Sequence, residues 1–313
     1  MPANPTPSGA LPARFRRTRV LIVGCGDVGQ RAAGLLLRTR VRVLGLTSSP
    51  EKAAVLRARG IVPLVGNLDR PATLRRLAGL GQRVLHLAPP PTGGSEGDSA
   101  AGRDPRTAAL LRVLATRKRP AALVYGSTSG VYGDCGGAWI DETRPVNPRN
   151  ARALRRVDAE MALRRFGRAG RGQVRVGILR IPGIYAPDRV GGTPRARLER
   201  GTPVLRSEDD VYTNHIHADD LARACVAALW RGKPQRVVHA SDDTELKMGD
   251  YFDLAAGLYG LPRPPRISRA EAALQLPALQ MSFMAESRRM LNGRLKGELR
   301  VGLRYPTVAR GLV

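Results

Sequence analysis

One stretch near the start of the chain decides the fold. Residues Arg19 to Gly29 read RVLIVGCGDVG. Four consecutive apolar residues, 20–23, have the length of a strand buried on both faces of a parallel sheet. Glycines follow at 24, 26 and 29, and a run with helical periodicity continues from about Val28 to Leu37. A strand, a glycine-rich turn and a helix predict the first unit of an alternating α/β fold.

The same alternation continues along the chain. Apolar runs at 41–46, 61–65, 83–87, 121–125 and 174–179 predict strands, and the stretches 51–59, 105–116 and 151–166 predict helices between them. This order predicts an α/β protein with a doubly wound parallel sheet, the Rossmann fold, and a smaller C-terminal substrate lobe. We expect a disordered basic tail at 1–18 and the Rossmann domain at 19–180. Residues 181–313 would form a mixed lobe with segments that return to the core.

The glycine spacing in the first turn matches G-x-G-x-x-G. Gly24 would permit the tight turn, Gly26 would let the backbone approach a pyrophosphate, and Gly29 would let the helix pack closely. Free N–H groups at the helix start, at Asp27 and Val28, would face the phosphates. Because the motif follows a strand and opens a helix, it predicts a dinucleotide site; a glycine-rich corner without a ligand is the alternative.

The end of the second strand indicates which dinucleotide binds. An NAD-preferring site places Asp or Glu there to bond the ribose 2′-hydroxyl, but this chain has Thr47 and Ser48 and no acid before Glu51. Hydroxyls can bond a 2′-phosphate, so NADP(H) is preferred and NAD(H) is the alternative, although the usual Arg is missing. Asn67 and Leu68, after the third strand, would lie beside the adenine or form a simple polar turn.

The composition is strongly basic. The chain has 52 Lys and Arg against 26 Asp and Glu, a net charge of +26. Such a field attracts polyanions, yet no zinc finger, helix-turn-helix or stacking motif supports a nucleic-acid partner, so a solvated basic surface is preferred. No apolar run predicts a membrane span, and we expect a cytoplasmic protein. The spacing of the cysteines and histidines predicts neither a disulfide nor a metal site.

Several motifs, in this order, resemble the extended short-chain dehydrogenase/reductase superfamily, in its NAD-dependent epimerase/dehydratase-like branch. They are the loop 24–29, HLA at 86–88, GSTSGVYG at 126–133, LRIPGIYAP at 179–187 and IHADDLA at 216–222. The resemblance covers nearly the whole chain after residue 19. It implies further cofactor contacts at Leu87, Ala88 and Pro182, and an oxidoreductase or epimerase acting on a small polar or sugar-like substrate. It also implies a homodimer through the helices at 105–116 and 151–166.

The resemblance implies a catalytic set that this chain lacks in part. Family members pair a Ser or Thr with Tyr-x-x-x-Lys, in which the Tyr acts as acid/base and the Lys lowers the pKa of the Tyr. The Ser/Thr position falls on Thr128, but the Tyr and Lys positions hold Arg152 and Arg156. Arg cannot relay a proton, although it could hold a phosphate or a developing alkoxide. The alternative is a catalytically silent NADP(H)-binding sensor or regulatory scaffold.

Other side chains could substitute for the missing tyrosine. Tyr185 follows the sixth predicted strand, near the expected nicotinamide, and His86 ends the fourth. His86 could equally be a packed imidazole whose hydrogen bonds are satisfied. Tyr132 fits a packing position of the family pattern better than a catalytic one. His217 and Asp220 are expected to organise the turn into the following helix rather than perform chemistry.

Overall fold

Strands and helices alternate through the first part of the computed structural model, which describes residues 17–92, 102–169 and 174–313. The strands are β1 (Arg19–Val23), β2 (Arg42–Thr47), β3 (Val62–Val65), β4 (Arg83–His86), β5 (Ala122–Thr128), β6 (Trp139–Ile140), β7 (Arg175–Ile181), β8 (Gly183–Tyr185), β9 (Val204–Leu205), β10 (Tyr212–Thr213), β11 (His215–His217), β12 (Arg236–His239), β13 (Leu246–Lys247), β14 (Arg266–Ile267) and β15 (Arg289–Met290). The helices are α1 (Asp27–Leu37), α2 (Lys52–Ala58), α3 (Pro105–Ala115), α4 (Ala151–Arg168), α5 (Arg195–Glu199), α6 (Ala218–Arg231), α7 (Met248–Tyr259), α8 (Arg269–Gln275), α9 (Ala278–Met284), α10 (Gly293–Gly297) and α11 (Val308–Gly311). The tail expected at 1–18 lies outside the described residues as far as residue 16.

Seven strands form one parallel sheet in the order β3-β2-β1-β4-β5-β7-β12. The order reverses between β1 and β4, and a crevice opens at such a switch point beyond the carboxyl ends of the strands. The predicted doubly wound Rossmann sheet is confirmed. Its seventh strand, β12, comes from far along the chain and was not among the strands predicted from the sequence.

The first strand is buried on both of its faces. Val20 and Ile22 pack with the helices α1 and α6, whereas Leu21 and Val23 pack with α3 and α4 on the opposite face. None of the four side chains has exposed surface, because successive residues of a strand point to opposite sides of the sheet. The end of β1, and with it the glycine turn, is therefore held rigidly at the centre of the molecule.

Side-chain caps fix the starts of the two helices on the second face. The carboxylate of Asp104 accepts hydrogen bonds from the N–H groups of Arg106 and Thr107 at the start of α3. Asn150 caps α4 by accepting from the N–H of Ala153 at 2.9 Å. Such caps satisfy N–H groups that have no partner inside the helix. They begin α3 at 105 and α4 at 151, the residues predicted from the sequence.

The chain beyond residue 180 contributes both to a C-terminal lobe and to the core of the main sheet. The strand pairs β9–β14 and β10–β13 and the helices α5, α7 and α8 form a separate lobe around its own buried cluster. The pair β8–β11 contacts this cluster through Tyr185 and the core of the main sheet through Ile216. Helix α6, strand β12 and the segment 295–301 instead join the core of the main sheet. The lobe faces the carboxyl ends of β5 and β7. No helix among the described residues is long and apolar enough to cross a membrane.

Candidate functional site

The glycine turn after β1 leaves an open space at its centre. Gly24 has φ +88°, and a Cβ there would clash with the main chain of Ala88. At Gly26, by contrast, a Cβ would meet no atom within 4 Å. The first glycine is therefore required by the turn itself, whereas the space above the second is free. Because Gly26 precedes the first turn of α1, a ligand in this space would face the N–H groups of that helix.

A cavity of about 350 Å³ lies on one side of the glycine turn, at the ends of β2 and β3. Four residues predicted to contact the adenosine half of the cofactor line it, together with Ala88, which was predicted as a further cofactor contact: Thr47, Ser48, Asn67 and Leu68. The Oδ1 of Asn67 accepts from the N–H of Asp69 at 2.9 Å, so this segment is an Asx turn. The structure brings together the residues that the sequence predicted to lie here.

The two hydroxyls at the end of β2 have different surroundings. Thr47 Oγ1 accepts from the N–H of Ser49 at 3.2 Å and is used by its own loop. The side chain of Ser48 is exposed and lines the cavity, and it forms no such bond with the residues that the structure describes. Of the two residues, only Ser48 keeps its full hydrogen-bonding capacity for a ligand.

Two cations in this cavity were missed by the sequence analysis. Lys52, the first residue of α2, is exposed and lines the cavity beside Ser48. Arg106 reaches it from α3 and forms two hydrogen bonds of 2.7 Å with the carboxylate of Asp69. These bonds lower the pKa of Asp69. The only signal for Lys52 was its place in the first turn of the helix that follows β2.

A second cavity, of about 300 Å³, lies over the start of α1 and opens towards the C-terminal lobe. The predicted cofactor and catalytic residues that line it are Gly24, Gly26, Asp27, Val28, Gly29, Leu87, Thr128, Arg156 and Pro182. Thr128 and Pro182 also line a larger chamber of about 720 Å³ between the sheet and the lobe, as does Arg152. The three cavities share lining residues and therefore form one continuous crevice from the ends of β2 and β3 to the chamber.

The three predicted catalytic residues meet where the second cavity joins the chamber. Thr128 ends β5, and its Oγ1 accepts from the N–H of Gly130 at 3.2 Å. Arg156 donates from Nη1 to the main-chain oxygen of Gly126 at 2.6 Å and to the hydroxyl of Tyr125 at 3.1 Å. Arg152, one helical turn earlier, is exposed, and its guanidinium lies 4.7 Å from the ring centre of Phe283. Arg156 is thus fixed by neutral oxygens, and the exposed Arg152 lies at the chamber wall.

The other candidate acids and bases are occupied by the fold. His86 is fully buried with Nε2 2.9 Å from Thr107 Oγ1, and burial, assisted by the charge of Arg156, lowers its pKa to about 3. Tyr185 is buried and donates to the main-chain oxygen of Thr307 at 3.3 Å. The hydroxyl of Tyr132 pairs with the buried imidazole of His239. None of these side chains offers a free proton-transfer group to the chamber.

His217 and Asp220 hold the start of α6. The Nδ1 of His217 accepts from the N–H of Asp219 at 3.2 Å. The carboxylate of Asp220, which has no exposed surface, accepts from the N–H groups of Arg304 and Tyr305 at 2.8–3.0 Å. Both residues therefore connect β11, α6 and the C-terminal segment, and their contacts are structural.

The chamber has an excess of positive charge. Its charged lining residues are four arginines and one carboxylate: Arg152, Arg189, Arg197, Arg288 and Glu286. Glu286 is paired with Arg288 at 2.8 Å. The buried Nε and Nη2 of Arg197 have no hydrogen-bond partner among the described residues, and its guanidinium lies over the ring of Phe252. His215 adds no charge near neutral pH, because burial lowers its pKa to about 4. The chamber therefore favours an anionic group.

Comparisons with known proteins agree with this architecture. The chain is 30% identical to a conserved protein of unknown function from Silicibacter pomeroyi DSS (TM-score 0.77; 94% of this chain and 96% of that one covered). It shares its fold with UDP-glucose 4-epimerase from Thermotoga maritima (17%; TM-score 0.74; 94% and 96%) and with UDP-glucuronic acid 4-epimerase from Bacillus cereus, solved with UDP-glucuronic acid and NAD (18%; TM-score 0.73; 94% and 96%). No curated protein matches it. The model of the NAD dependent epimerase/dehydratase family matches residues 20–240, and the chain belongs to that family.

Proposed function

We propose that the chain binds a nicotinamide dinucleotide across the glycine turn and acts in the adjoining chamber, as an oxidoreductase or epimerase, on a small polar or sugar-like substrate that carries an anionic group. The observation that carries this proposal is the open space above Gly26, between cavities of about 350 and 300 Å³. An elongated ligand with a pyrophosphate at its middle fits this division. The family relative from Bacillus cereus, whose solved complex contains NAD, supports the same class of cofactor.

The adenosine half of the dinucleotide would lie between Ser48, Asn67 and Leu68. Its pyrophosphate would face the N–H groups at the start of α1, and the nicotinamide would reach Pro182 and Thr128. NADP(H) is preferred over NAD(H), because the free hydroxyl of Ser48 and the ammonium of Lys52 lie at the ribose end. Asp69, the carboxylate that lines this cavity among the described residues, is already paired with Arg106.

The bound dinucleotide would supply hydride transfer. Thr128 accepts one hydrogen bond from Gly130, so its own hydroxyl proton remains available to a substrate oxygen. Arg152, at the chamber wall, would stabilise negative charge on that oxygen, and Arg197 would hold a carboxylate or phosphate of the substrate. Arg156 is committed to Gly126 and Tyr125 and would position this edge of the site.

A second function is favoured by one specific observation. Arginines occupy both positions at which the family places its Tyr and Lys, and an arginine cannot act as a general acid or base. The alternative is therefore a dinucleotide-binding sensor or scaffold without turnover. Cofactor binding is common to both functions, whereas turnover belongs to the first alone.

A pair of glycine variants tests the cofactor site. Gly26 and Gly34 both lie where a Cβ would meet no atom within 4 Å, but Gly34 is on the exposed side of α1. We expect Gly26→Val to abolish binding of NADPH and NADH in fluorescence titrations, because the valine side chain would fill the space for the pyrophosphate. Gly34→Val should bind as the wild type does. Absence of binding to the wild type at millimolar cofactor, or equal effects of the two variants, would overturn the proposal.

A further inference from the structure

The edge of the sheet opposite the candidate cofactor site carries positive charge that the proposed function does not use. Five of the seven strands of the main sheet begin with arginine: Arg19, Arg42, Arg83, Arg175 and Arg236. Because all seven strands are parallel, their first residues lie along one edge, and neighbouring strands are about 4.8 Å apart. The regular alternation of the fold thus concentrates arginines at a single end of the molecule.

A concavity of about 760 Å³ opens at the middle of this edge, at the starts of β1, β4 and β5. Of the described residues, five cationic side chains and no carboxylate line it: Arg19, Arg83, Arg117, Lys118 and Arg119. Within the part of the chain that the structure describes, none of the five forms an ion pair. A site of this volume is large enough for a small-molecule ligand.

Main-chain oxygens hold the guanidinium groups at this edge. Arg83 donates to the oxygen of Leu229, Arg119 to that of Ala169 at 2.8 Å, and Arg175 to that of Trp230 at 3.1 Å. A carbonyl oxygen fixes the side chain but, unlike a carboxylate, leaves its charge uncompensated. Arg236, on the outermost strand, differs because it is paired with Glu298. The positive charge is therefore oriented and unneutralised around the concavity itself.

Without a bound anion, the positively charged side chains at this edge repel one another. The buried Nε of Arg19 has no hydrogen-bond partner among the described residues. Burial, together with the nearby charge of Arg175, lowers the pKa of Arg83. A bound anion would supply the missing hydrogen-bond acceptor and reduce the repulsion between like charges.

The lining also indicates the type of anion. Among the residues that the structure describes, no aromatic side chain lines the concavity, and the neighbouring rings of Trp230 and Phe166 are covered by Arg83 and Arg119 at 4.8 and 5.0 Å. Bases could not stack here, so recognition would fall on phosphate groups. We propose that this concavity binds an oligophosphate, a linear chain of three or more phosphates, either free or attached to a nucleoside. The proposal does not depend on the function assigned to the cofactor crevice.

Calorimetric titration of the full chain with inorganic tripolyphosphate tests this site, at an ionic strength of about 0.1 M where the Debye length is about 10 Å. We expect the double variant Arg117→Gln/Lys118→Gln to weaken binding about 10-fold or more. Both side chains are exposed, and each substitution removes charge-assisted contacts with the phosphates. The matched control, Arg304→Gln/Arg310→Gln, removes two exposed cations that do not line the concavity. It should weaken binding about 2-fold or less, since distant charges are screened.

Three further titrations identify the ligand and the site. Gly26→Val should bind tripolyphosphate as tightly as the wild type; loss of binding would place the anion in the cofactor crevice and overturn the proposal. If ATP binds with an affinity similar to that of tripolyphosphate, the site recognises the phosphate chain and not the nucleoside. A single-stranded oligonucleotide that binds much more tightly at equal phosphate concentration would make nucleic acid the partner instead. Equal effects of the two double variants, or no binding at all, would also overturn the site.

Discussion

Glu160 and Arg180 form a buried ion pair directly beside the strand that carries Thr128. Arg180 Nη2 lies 2.8 Å from Glu160 Oε2, and both side chains are 5% exposed. The other carboxylate oxygen of Glu160 accepts from Ser127 Oγ at 2.6 Å. Helix α4 and the strands β5 and β7 are thereby joined at one point, and the position of Thr128 depends on all three elements.

Removal of one partner of this pair should strongly destabilise the protein. We expect Glu160→Ala to lower the free energy of unfolding by about 3–5 kcal/mol, because it leaves the guanidinium of Arg180 buried without its counter-charge. Urea denaturation measures this change. The control is Glu199→Ala, which removes a half-exposed pair with Arg195 at 3.8 Å and should cost about 1 kcal/mol or less. Similar losses for both variants would contradict the structural role given to Glu160.

The buried imidazole of His215 should make stability depend on pH. Its pKa is about 4 in the folded protein because of burial, against 6.5 as the ordinary value. Between these values the unfolded chain binds the proton and the folded chain does not, so stability is lost as pH falls from about 6.5 to about 4. His215→Phe removes this titration, and its stability relative to wild type should rise by about 2–3 kcal/mol between pH 7.5 and pH 4.5.

A neighbouring aromatic residue provides the control for this measurement. The rings of Tyr251 and His215 are 4.4 Å apart, and Tyr251 stays protonated over this whole pH range because burial raises its pKa. Tyr251→Phe should therefore change stability by the same amount at pH 7.5 and at pH 4.5. If His215→Phe also showed a constant difference, the burial of a neutral imidazole at 215 would be refuted.

Lys52 should distinguish the two cofactors. Its ammonium lines the cavity beside Ser48, where the ribose 2′-phosphate of NADPH would lie. Lys52→Ala should raise the Kd for NADPH about 10-fold, since a charge-assisted contact is lost. NADH has no phosphate at this position, so its Kd on the same variant serves as the control and should stay unchanged. Equal losses for both cofactors, or tighter binding of NADH by the wild type, would contradict the preference for NADP(H).

The sequence predicted the central sheet well because its signals are local. Apolar runs of strand length and the glycine spacing at 24–29 lie within a few residues of the structures that they specify. Strand β12 was missed, since its four residues contain only two apolar side chains, Val237 and Val238. It becomes a strand by pairing with β7, which is a tertiary effect.

The side chains that line the candidate site were harder to predict from the sequence. Arg197 and Arg288 come from segments far apart in the chain, and only folding places both at the chamber. Thr47 and Ser48 look equivalent as hydroxyls, but the turn at 47–49 occupies one of them and leaves the other free. Spacing in the sequence identified the candidate cofactor loop, whereas the charge of the chamber depends on tertiary packing.

Turnover, and the part that Thr128 takes in it, can be tested with a conservative pair of variants. Serine keeps both the hydrogen bond accepted from Gly130 and the hydroxyl proton, whereas alanine removes both. If the chain is an oxidoreductase, wild-type protein should oxidise NADPH in a screen of anionic carbonyl compounds and nucleotide sugars, followed at the nicotinamide absorbance. Thr128→Ala should then reduce kcat by about 10²-fold or more, the usual effect of losing a positioned proton donor, and Thr128→Ser should stay close to wild type.

Measuring the Kd for NADPH distinguishes a structural role of Thr128 from a role in the reaction itself. Loss of the bond to Gly130 alone would loosen the turn at 129–132 and raise KM and the Kd for NADPH together with any fall in kcat. A fall in kcat with an unchanged Kd for NADPH would instead place the hydroxyl in contact with the reacting oxygen. Turnover that survives Thr128→Ala would show that the reaction occurs elsewhere in the chamber. Cofactor binding without turnover on any substrate in the screen would favour the silent sensor, because Arg152 and Arg156 cannot act as a general acid or base.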